Sequence, residues 1–213
     1  MNSSNKCELK LDWCDRAAMK YALKRWYYRE TPPSSKTSKI GIWEDEKFIG
    51  VLVFGSGANN NLAKSIGMDH TQCCELVRVA MDTHRSPVSR IMAIALRMIH
   101  KAYPGLQAII SYCDPSVGHY GGIYQASNWL YVGMTDKIDY YEDAKGELHH
   151  WRTARVMQKK GIPLTRIYLP GKHKYVYPLT KEVRAALSPR SVPFPKLAAE
   201  AGDHPDQGQS DGA

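Results

Sequence analysis

The chain has 213 residues, a formal charge of +8 and 43% apolar residues, enough to bury the core of one domain. Its five cysteines, Cys7, Cys14, Cys73, Cys74 and Cys113, are odd in number and form no CxxC pair, which excludes a disulfide-framed secreted fold and a zinc knuckle and points to a reduced, cytoplasmic setting. The first residues lack an apolar signal core, and the most apolar segment, IMAIALRMI, is broken by Arg97 well short of a membrane span, so a soluble protein is expected.

Residues 7–13 alternate as a strand does, and residues 16–29 have helical spacing, with Ala17, Tyr21, Ala18 and the Lys24 stem turned inward. A Pro/Ser loop over 31–39 leads to segments 40–44 and 48–54, which flank the acidic turn Glu44-Asp45-Glu46-Lys47 and predict a hairpin. The glycines of 55–67 follow neither a Walker pattern nor GxGxxG, so this stretch reads as a surface loop.

Residues 75–81 (ELVRVAM) predict a strand, and the turn DTHRSPVSR leads into a long helix over 88–103. A turn of this kind gathers unpaired backbone N–H groups and the positive end of the helix dipole. Arg85, Ser86, Ser89 and Arg90 add side-chain donors there, so the turn is expected to hold a phosphate-bearing ligand. Pro104-Gly105 ends the helix and a strand follows over 107–113.

The run SYCDPSVGHYGGIYQASNWLYVG, residues 111–133, then crowds Asp114, His119, Tyr124, Asn128 and Trp129 around glycines at the end of that strand. Polar groups at a strand's carboxyl end commonly face a ligand; the plain alternative is a capped turn, with Asp114 as cap and Pro115 at the first helical position. A second helix is expected over 118–128, a turn over 139–146, a polar cluster at His149-His150-Trp151-Arg152, and a further hairpin joining 166–169 to 175–179 around Pro170-Gly171.

Residues 151–187 hold nine basic residues against Glu182 alone, with Trp151, Tyr168, Tyr175 and Tyr177 interleaved, a mixture suited to phosphates and stacked bases. Trp151, Arg152, Arg155, Lys159 and Lys160, with Asn128 and Trp129, are the candidate nucleic-acid contacts. From Ser188 the composition turns to Pro, Gly, Asp and Gln with four acidic residues against two basic ones, leaving +10 on residues 1–187. Residues 1–187 therefore read as one domain and 188–213 as a disordered tail.

The element order is that of a mixed α/β layer architecture, a central mixed sheet flanked by helices, and it resembles the GNAT acyltransferase fold, in which the turn after the fourth strand holds the donor's pyrophosphate. Here that turn is HRSPVSR, with Pro87 and Ser89 where glycines are usual. Over residues 48–153, GVLVFGSGANN, ELVRV, SPVSR and the 111–133 run resemble the phage Mom family, GNAT-related enzymes that modify adenine in DNA. The resemblance implies conversion of adenine N6 in duplex DNA to a carbamoylmethyl adduct, protecting phage DNA from host restriction, with acetyl-CoA or glycyl-tRNA as donor.

Carried over by motif, the resemblance points to Arg78, Ser89, Asp114 and Tyr124; the structural alternatives are an Arg78–Glu75 pair, a capping Ser89 and a core Tyr124 with its hydroxyl satisfied. Tyr28, Trp129 or Trp151 is expected to stack on a flipped adenine, Asp114 or Asn128 to read or deprotonate its amine, and Tyr124 or His119 to donate a proton. The family often carries a His-Tyr pair after the first helix, a place proposed to help bind iron; this chain has Tyr27-Tyr28, leaving His119, Asp114 and His150 to supply ligands, and no metal site is assigned. Two other functions fit the residues: a GNAT-like acyltransferase acting on tRNA, protein or a small amine, and a non-catalytic DNA-binding anti-restriction protein.

Overall fold

A computed structural model describes residues 7–28, 30–33, 35–57 and 61–195. The chain runs β1 (Leu9–Trp13), α1 (Arg16–Trp26), β2 (Thr37–Glu44), β3 (Lys47–Gly55), α2 (Asn61–Lys64), β4 (Cys73–Met81), α3 (Val88–Ala102), β5 (Ala108–Cys113), α4 (Gly122–Gln125) and β6 (Leu130–Met134). There follow β7 (Ile138–Glu142), β8 (Leu148–His150), α5 (Trp151–Lys159), β9 (Thr165–Leu169), β10 (His173–Pro178) and α6 (Lys181–Leu187). Seven strands form the main sheet in the order β1-β2-β3-β4-β5-β10-β6, and β8-β7-β9 form a separate three-stranded sheet. Every pairing in the main sheet is antiparallel except β4 with β5.

The β2–β3 hairpin turns on Asp45 and Glu46, both at positive φ (46° and 66°), the combination a two-residue turn needs to match strand twist. Its inner residues, Ile40, Ile42, Ile49 and Leu52, join Ile91, Met92, Ala95, Leu96 and Ile99 of α3 in the main core. The hydrophobic stripe of α3 recurs every three or four residues, so this helix covers one face of the sheet. Helix α1 covers the other, but through Met19, Ala22 and Leu23 against Val51, Val53 and Ala80. Ala17, Tyr21 and Lys24, expected to point inward, are exposed: the inward stripe begins two residues later, at Met19, where a larger apolar group reaches the sheet.

Three further expectations change. The helix expected over 118–128 is confined to the single turn α4, because Gly118, Gly121 and Asn128 take left-handed backbone (φ 74°, 85° and 63°) that interrupts a helix at both ends. The hairpin expected around Pro170-Gly171 does not form: β9 pairs with β7 in the small sheet, whereas β10 lies between β5 and β6. The chain also stays placed past Ser188, through a 3-10 turn at Ser188–Arg190, a Val192 N–H donating to the Tyr131 carbonyl (2.9 Å), and Phe194 stacked on Tyr175. Residues 196–213, the rest of the tail expected to be disordered, lie outside the described residues. All five cysteines are free, and among the described residues no helix is long and apolar enough to cross a membrane.

Candidate active site

The site originates in a parallel ladder that stops early. β4 and β5 pair only over Cys73–Glu75 and Ala108–Ile110, although β4 continues to Met81 and β5 to Cys113. Just past the last pair, the Leu76 carbonyl accepts from the Ser111 hydroxyl (2.8 Å). The Ser111 oxygen, its own proton committed, accepts from the Tyr124 hydroxyl (2.7 Å). Register between β4 and β3 also shifts at this level, leaving Val77 as an extra residue in β4. Such a bulge re-aims the neighbouring side chains.

A cleft of ≈ 630 Å³ fills the gap, lined by Trp26, Tyr27 and Tyr28 at the end of α1, by Leu76–Val79 and Met81 of β4, by His84 and Val88, and by Ser111–Asp114 and Gly118–Tyr124. That volume is in the range of small-molecule sites. All five side chains chosen from the sequence as catalytic, Arg78, Asp114, His119, Tyr124 and Tyr28, line it. A second hollow of ≈ 710 Å³, around Ser38, Cys74 and Tyr103 at the far end of α3, holds none of them.

Asp114 closes β5 and caps the 3-10 turn Pro115–Val117, accepting from the Ser116 amide (3.1 Å) and hydroxyl (2.5 Å), so the capping alternative describes its local role. Its other oxygen faces the Lys172 ammonium at 3.3 Å. Burial alone would raise this carboxyl, but the Ser116 hydrogen bonds and the Lys172 charge outweigh it and hold the carboxyl below the usual range. Asp114 is therefore ionised at neutral pH.

Tyr124 is 6% exposed, and burial pushes its phenol far up, so the hydroxyl keeps its proton. It belongs to the core and to the cleft at once. Below it, Tyr175 donates to the Tyr120 carbonyl (2.6 Å), and Gly121 has φ 85° with the Tyr175 ring where a Cβ would stand. Only glycine fits there without moving a fully buried ring.

Arg78 sits with its guanidinium 5.3 Å from the Tyr27 ring and donates to the Val77 carbonyl (2.7 Å). Its buried Nε finds no hydrogen-bond partner among the described residues. At the mouth, the His119 and Tyr28 rings meet edge to face at 5.4 Å.

The turn expected to cradle a phosphate already holds a carboxylate of the chain itself. Glu44, 6% exposed, accepts from the backbone N–H of Arg85 (2.9 Å) and of Ser86 (2.6 Å), and the Arg85 guanidinium pairs with Asp45. Burial would raise the Glu44 carboxyl, yet the Arg85 and Ser86 hydrogen bonds bring it down to about 2. Arg85 and Ser86 are thus occupied, Pro87 has no N–H, and Ser89 and Arg90 are left at the start of α3.

Other expectations change as well. Trp129 is 1% exposed, packed between Tyr124 (4.9 Å) and Tyr177 (5.5 Å), so it is a core residue and not a base-stacking surface. Asn128 is exposed, but its left-handed backbone serves the turn into β6 and its carbonyl accepts from Arg184 (3.0 Å). Trp151, Arg152, Arg155, Lys159 and Lys160 are exposed on α5 and just beyond it, outside the cleft.

The residues present do not fit the iron site that the family resemblance implies. Asp114, His119 and His150 do not come together as a ligand set, and the His150 ring caps α5. Among the described residues, the one group of three candidate ligands within 4.8 Å of one another is Asp143, Glu147 and His149, in the β7–β8 turn.

Sequence reasoning did not single out Glu44, His84, Ser111 or Lys172. Ser111 begins the conspicuous run, whereas Lys172 lies 58 residues beyond Asp114 and carries no motif.

The profile of the Mom protein family matches residues 8–196. A curated relative, "Methylcarbamoylase mom" of Escherichia phage Mu, is 27% identical over 173 residues, covering 74% of this chain and 71% of that protein. Among solved structures, the ribosomal-protein-S18-alanine N-acetyltransferase of Escherichia coli matches with TM-score 0.50 at 9% identity, over 81% of this chain and 95% of that one. FeeM, an N-acyl amino acid synthase from uncultured soil microbes, gives 0.48 at 12% identity over 88% and 99%. At 9% identity the likeness to the acetyltransferase concerns the fold alone.

Proposed function

The chain belongs to the Mom protein family, and from that premise we propose that it is a GNAT-like transferase that converts adenine N6 in duplex DNA to a carbamoylmethyl adduct, shielding phage DNA from restriction. The observation that carries this reading beyond the family is the convergence of Arg78, Asp114, His119, Tyr124 and Tyr28 on one cleft where β4 and β5 part.

With a glycyl ester as donor, the net transfer forms the bond from N6 to the methylene carbon, breaks that carbon's bond to the glycyl nitrogen and the ester C–O bond, places the glycyl nitrogen on the carbonyl as the amide, and releases the donor's hydroxyl with the proton that N6 gives up. An exocyclic amine is a poor nucleophile because its lone pair is delocalised into the ring, so positioning and a base must lower most of the barrier. The target nitrogen is unreachable inside the stack, and the base is flipped at a cost of roughly a few kcal/mol. Tyr28 and His119 at the mouth offer the flipped ring an aromatic face. Asp114, ionised at neutral pH, accepts from the amine and takes its proton. Tyr124, which lines the cleft and is held protonated, is the proton donor to the departing group. The unpartnered Nε of Arg78 binds the donor's carbonyl oxygen, where charge develops.

The donor carries an activated two-carbon group. Glu44 already fills the amides a coenzyme pyrophosphate would use, which favours glycyl-tRNA over acetyl-CoA, with Ser89 and Arg90 meeting its phosphates. DNA from cells expressing the chain should resist restriction nucleases whose sites contain adenine; digestion identical to that of control DNA would speak against the reading.

A further inference from the structure

The small sheet is an insertion. β6 and β10 are antiparallel neighbours, with His173 opposite Met134, and residues 135–172 leave the main sheet from one and return to the other. Entry and exit are clamped together. The Thr135 amide donates to the Lys172 carbonyl (2.9 Å), the Lys172 amide donates to the Thr135 hydroxyl (2.9 Å), and a Cβ on Gly171 would overlap the Thr135 carbonyl. This neck is attached to the cleft: Lys172 reaches Asp114 at 3.3 Å, and the ring of the next residue, His173, lies 5.8 Å from that of Tyr120.

Beyond the neck the insertion buries little. Among its described side chains from 135 to 170, Ala154 alone is fully buried, while Leu148, Trp151, Val156, Ile162 and Tyr168 are exposed. Helix α5 packs on β7 and β8, Ala154 is buried and Met157 half-buried on one side of it, and on the opposite side Arg152, Arg155, Val156 and Lys159 recur at helical spacing, with Lys160 one residue on. The helix contains no acidic residue. Guanidinium groups also lie over exposed rings, Arg152 on Trp151 (5.2 Å) and Arg166 on Tyr168 (4.8 Å). An exposed surface that is cationic and aromatic together fits a polyanion that carries flat bases.

We propose that the 135–172 insertion is a duplex-DNA docking arm that lays α5 in the major groove beside the target adenine. This rests on the reading of the cleft as the acceptor site, and it assigns the flanking duplex a place that the reading leaves open. Adenine N6 projects into the major groove, which admits one α-helix. Nine residues of helix span about 13 Å, comparable with the groove's width. The arm's only covalent connection to the sheet is the neck at Asp114, so duplex held on α5 is held beside the cleft mouth. Arg152, Arg155, Lys159 and Lys160 meet phosphates, and Trp151, at the start of the helix, meets the bases or sugar next to the flipped position.

The test is binding of a fluorescent 20-base-pair duplex to the full chain over a range of salt, for the wild type, for Arg152→Ala/Arg155→Ala/Lys159→Ala/Lys160→Ala, for Trp151→Ala, and for Lys101→Ala as a basic residue elsewhere. All the altered side chains are exposed, and circular dichroism reports whether each variant folds. The quadruple variant should bind at least tenfold more weakly at about 100 mM salt, with the slope of log K against log salt reduced by roughly 0.9 for each phosphate no longer neutralised. Trp151→Ala should weaken binding with little change in slope, and Lys101→Ala should match the wild type. Unchanged duplex affinity in the folded quadruple variant would overturn the proposal, as would a loss confined to tRNA used as the competing probe. Because binding needs no turnover, an unmodified adenine pool with an intact arm effect would sink the catalytic reading alone.

Discussion

The hydroxyls of Ser111 and Tyr124 meet at 2.7 Å beneath the cleft, and the Ser111 hydroxyl donates to the Leu76 carbonyl at 2.8 Å. One serine thus serves the strand separation and the phenol at the same time. Ser111→Ala removes a partner from two buried groups and should cost about 1–3 kcal/mol, read as a lower denaturant midpoint. Tyr124→Phe keeps the ring in its aromatic packing and should cost less stability, while product formation falls by roughly 10²-fold or more, the size of a lost general acid. Equal activity of Tyr124→Phe and wild type would remove Tyr124 from the mechanism.

Asp114 and Lys172 tie the cleft to the neck of the insertion. The folded-state carboxyl lies below its ordinary value of about 3.9, so it contributes stability that is complete above that pH and is lost as pH falls through the lowered value. Replacing Lys172 with Met removes one of the lowering interactions and leaves the raising effect of burial. The Asp114 carboxyl, followed by NMR, should then titrate at higher pH than in the wild type. An unchanged titration would show that Lys172 does not act on it.

Glu44 caps the turn before α3 with two backbone hydrogen bonds. With a folded value of about 2 against about 4.3 unfolded, its contribution is present above pH 4.3 and disappears as pH falls through 2. Glu44→Ala should destabilise by about 1–3 kcal/mol at pH 7, and the difference from wild type should shrink toward pH 2. The same variant frees the amides of Arg85 and Ser86, so weak binding of coenzyme A should appear or strengthen in calorimetry. Tight coenzyme A binding by the wild type would contradict the reading of a self-filled turn.

Trp129 and Trp151 separate a core role from a surface role. Trp129→Ala empties a buried site and should cost about 3–5 kcal/mol, with duplex affinity of the folded protein unchanged. Trp151, 43% exposed, should show the reverse pattern. Thermal melts and duplex titrations on both variants distinguish the two.

The fold was legible where hydrophobic period and punctuation agreed. The ELVRV strand, the α3 stripe ended by Pro104-Gly105 and the apolar β5 all stand where the sequence puts them. The insertion was not legible, because IDYYE and LHH bury too little to show a strand period and the partners of β9 and β10 lie far apart in sequence. Trp129 misled for a related reason: a tryptophan among polar residues looks like a surface group until the left-handed Asn128 turns the chain and drops the ring into the core. Asp114 and Tyr124 could be chosen together because they stand ten residues apart in one run, whereas Glu44 reaches its turn from a different hairpin.

The most direct measurement is mass spectrometry of nucleosides from DNA of cells expressing the wild type, Asp114→Ala or Tyr124→Phe. The expected result is a carbamoylmethyl-deoxyadenosine peak with the wild type that is absent or strongly reduced in both variants while their folded protein accumulates. An unmodified adenine pool with folded wild type, or an undiminished peak in both variants, would contradict the assignment of the cleft.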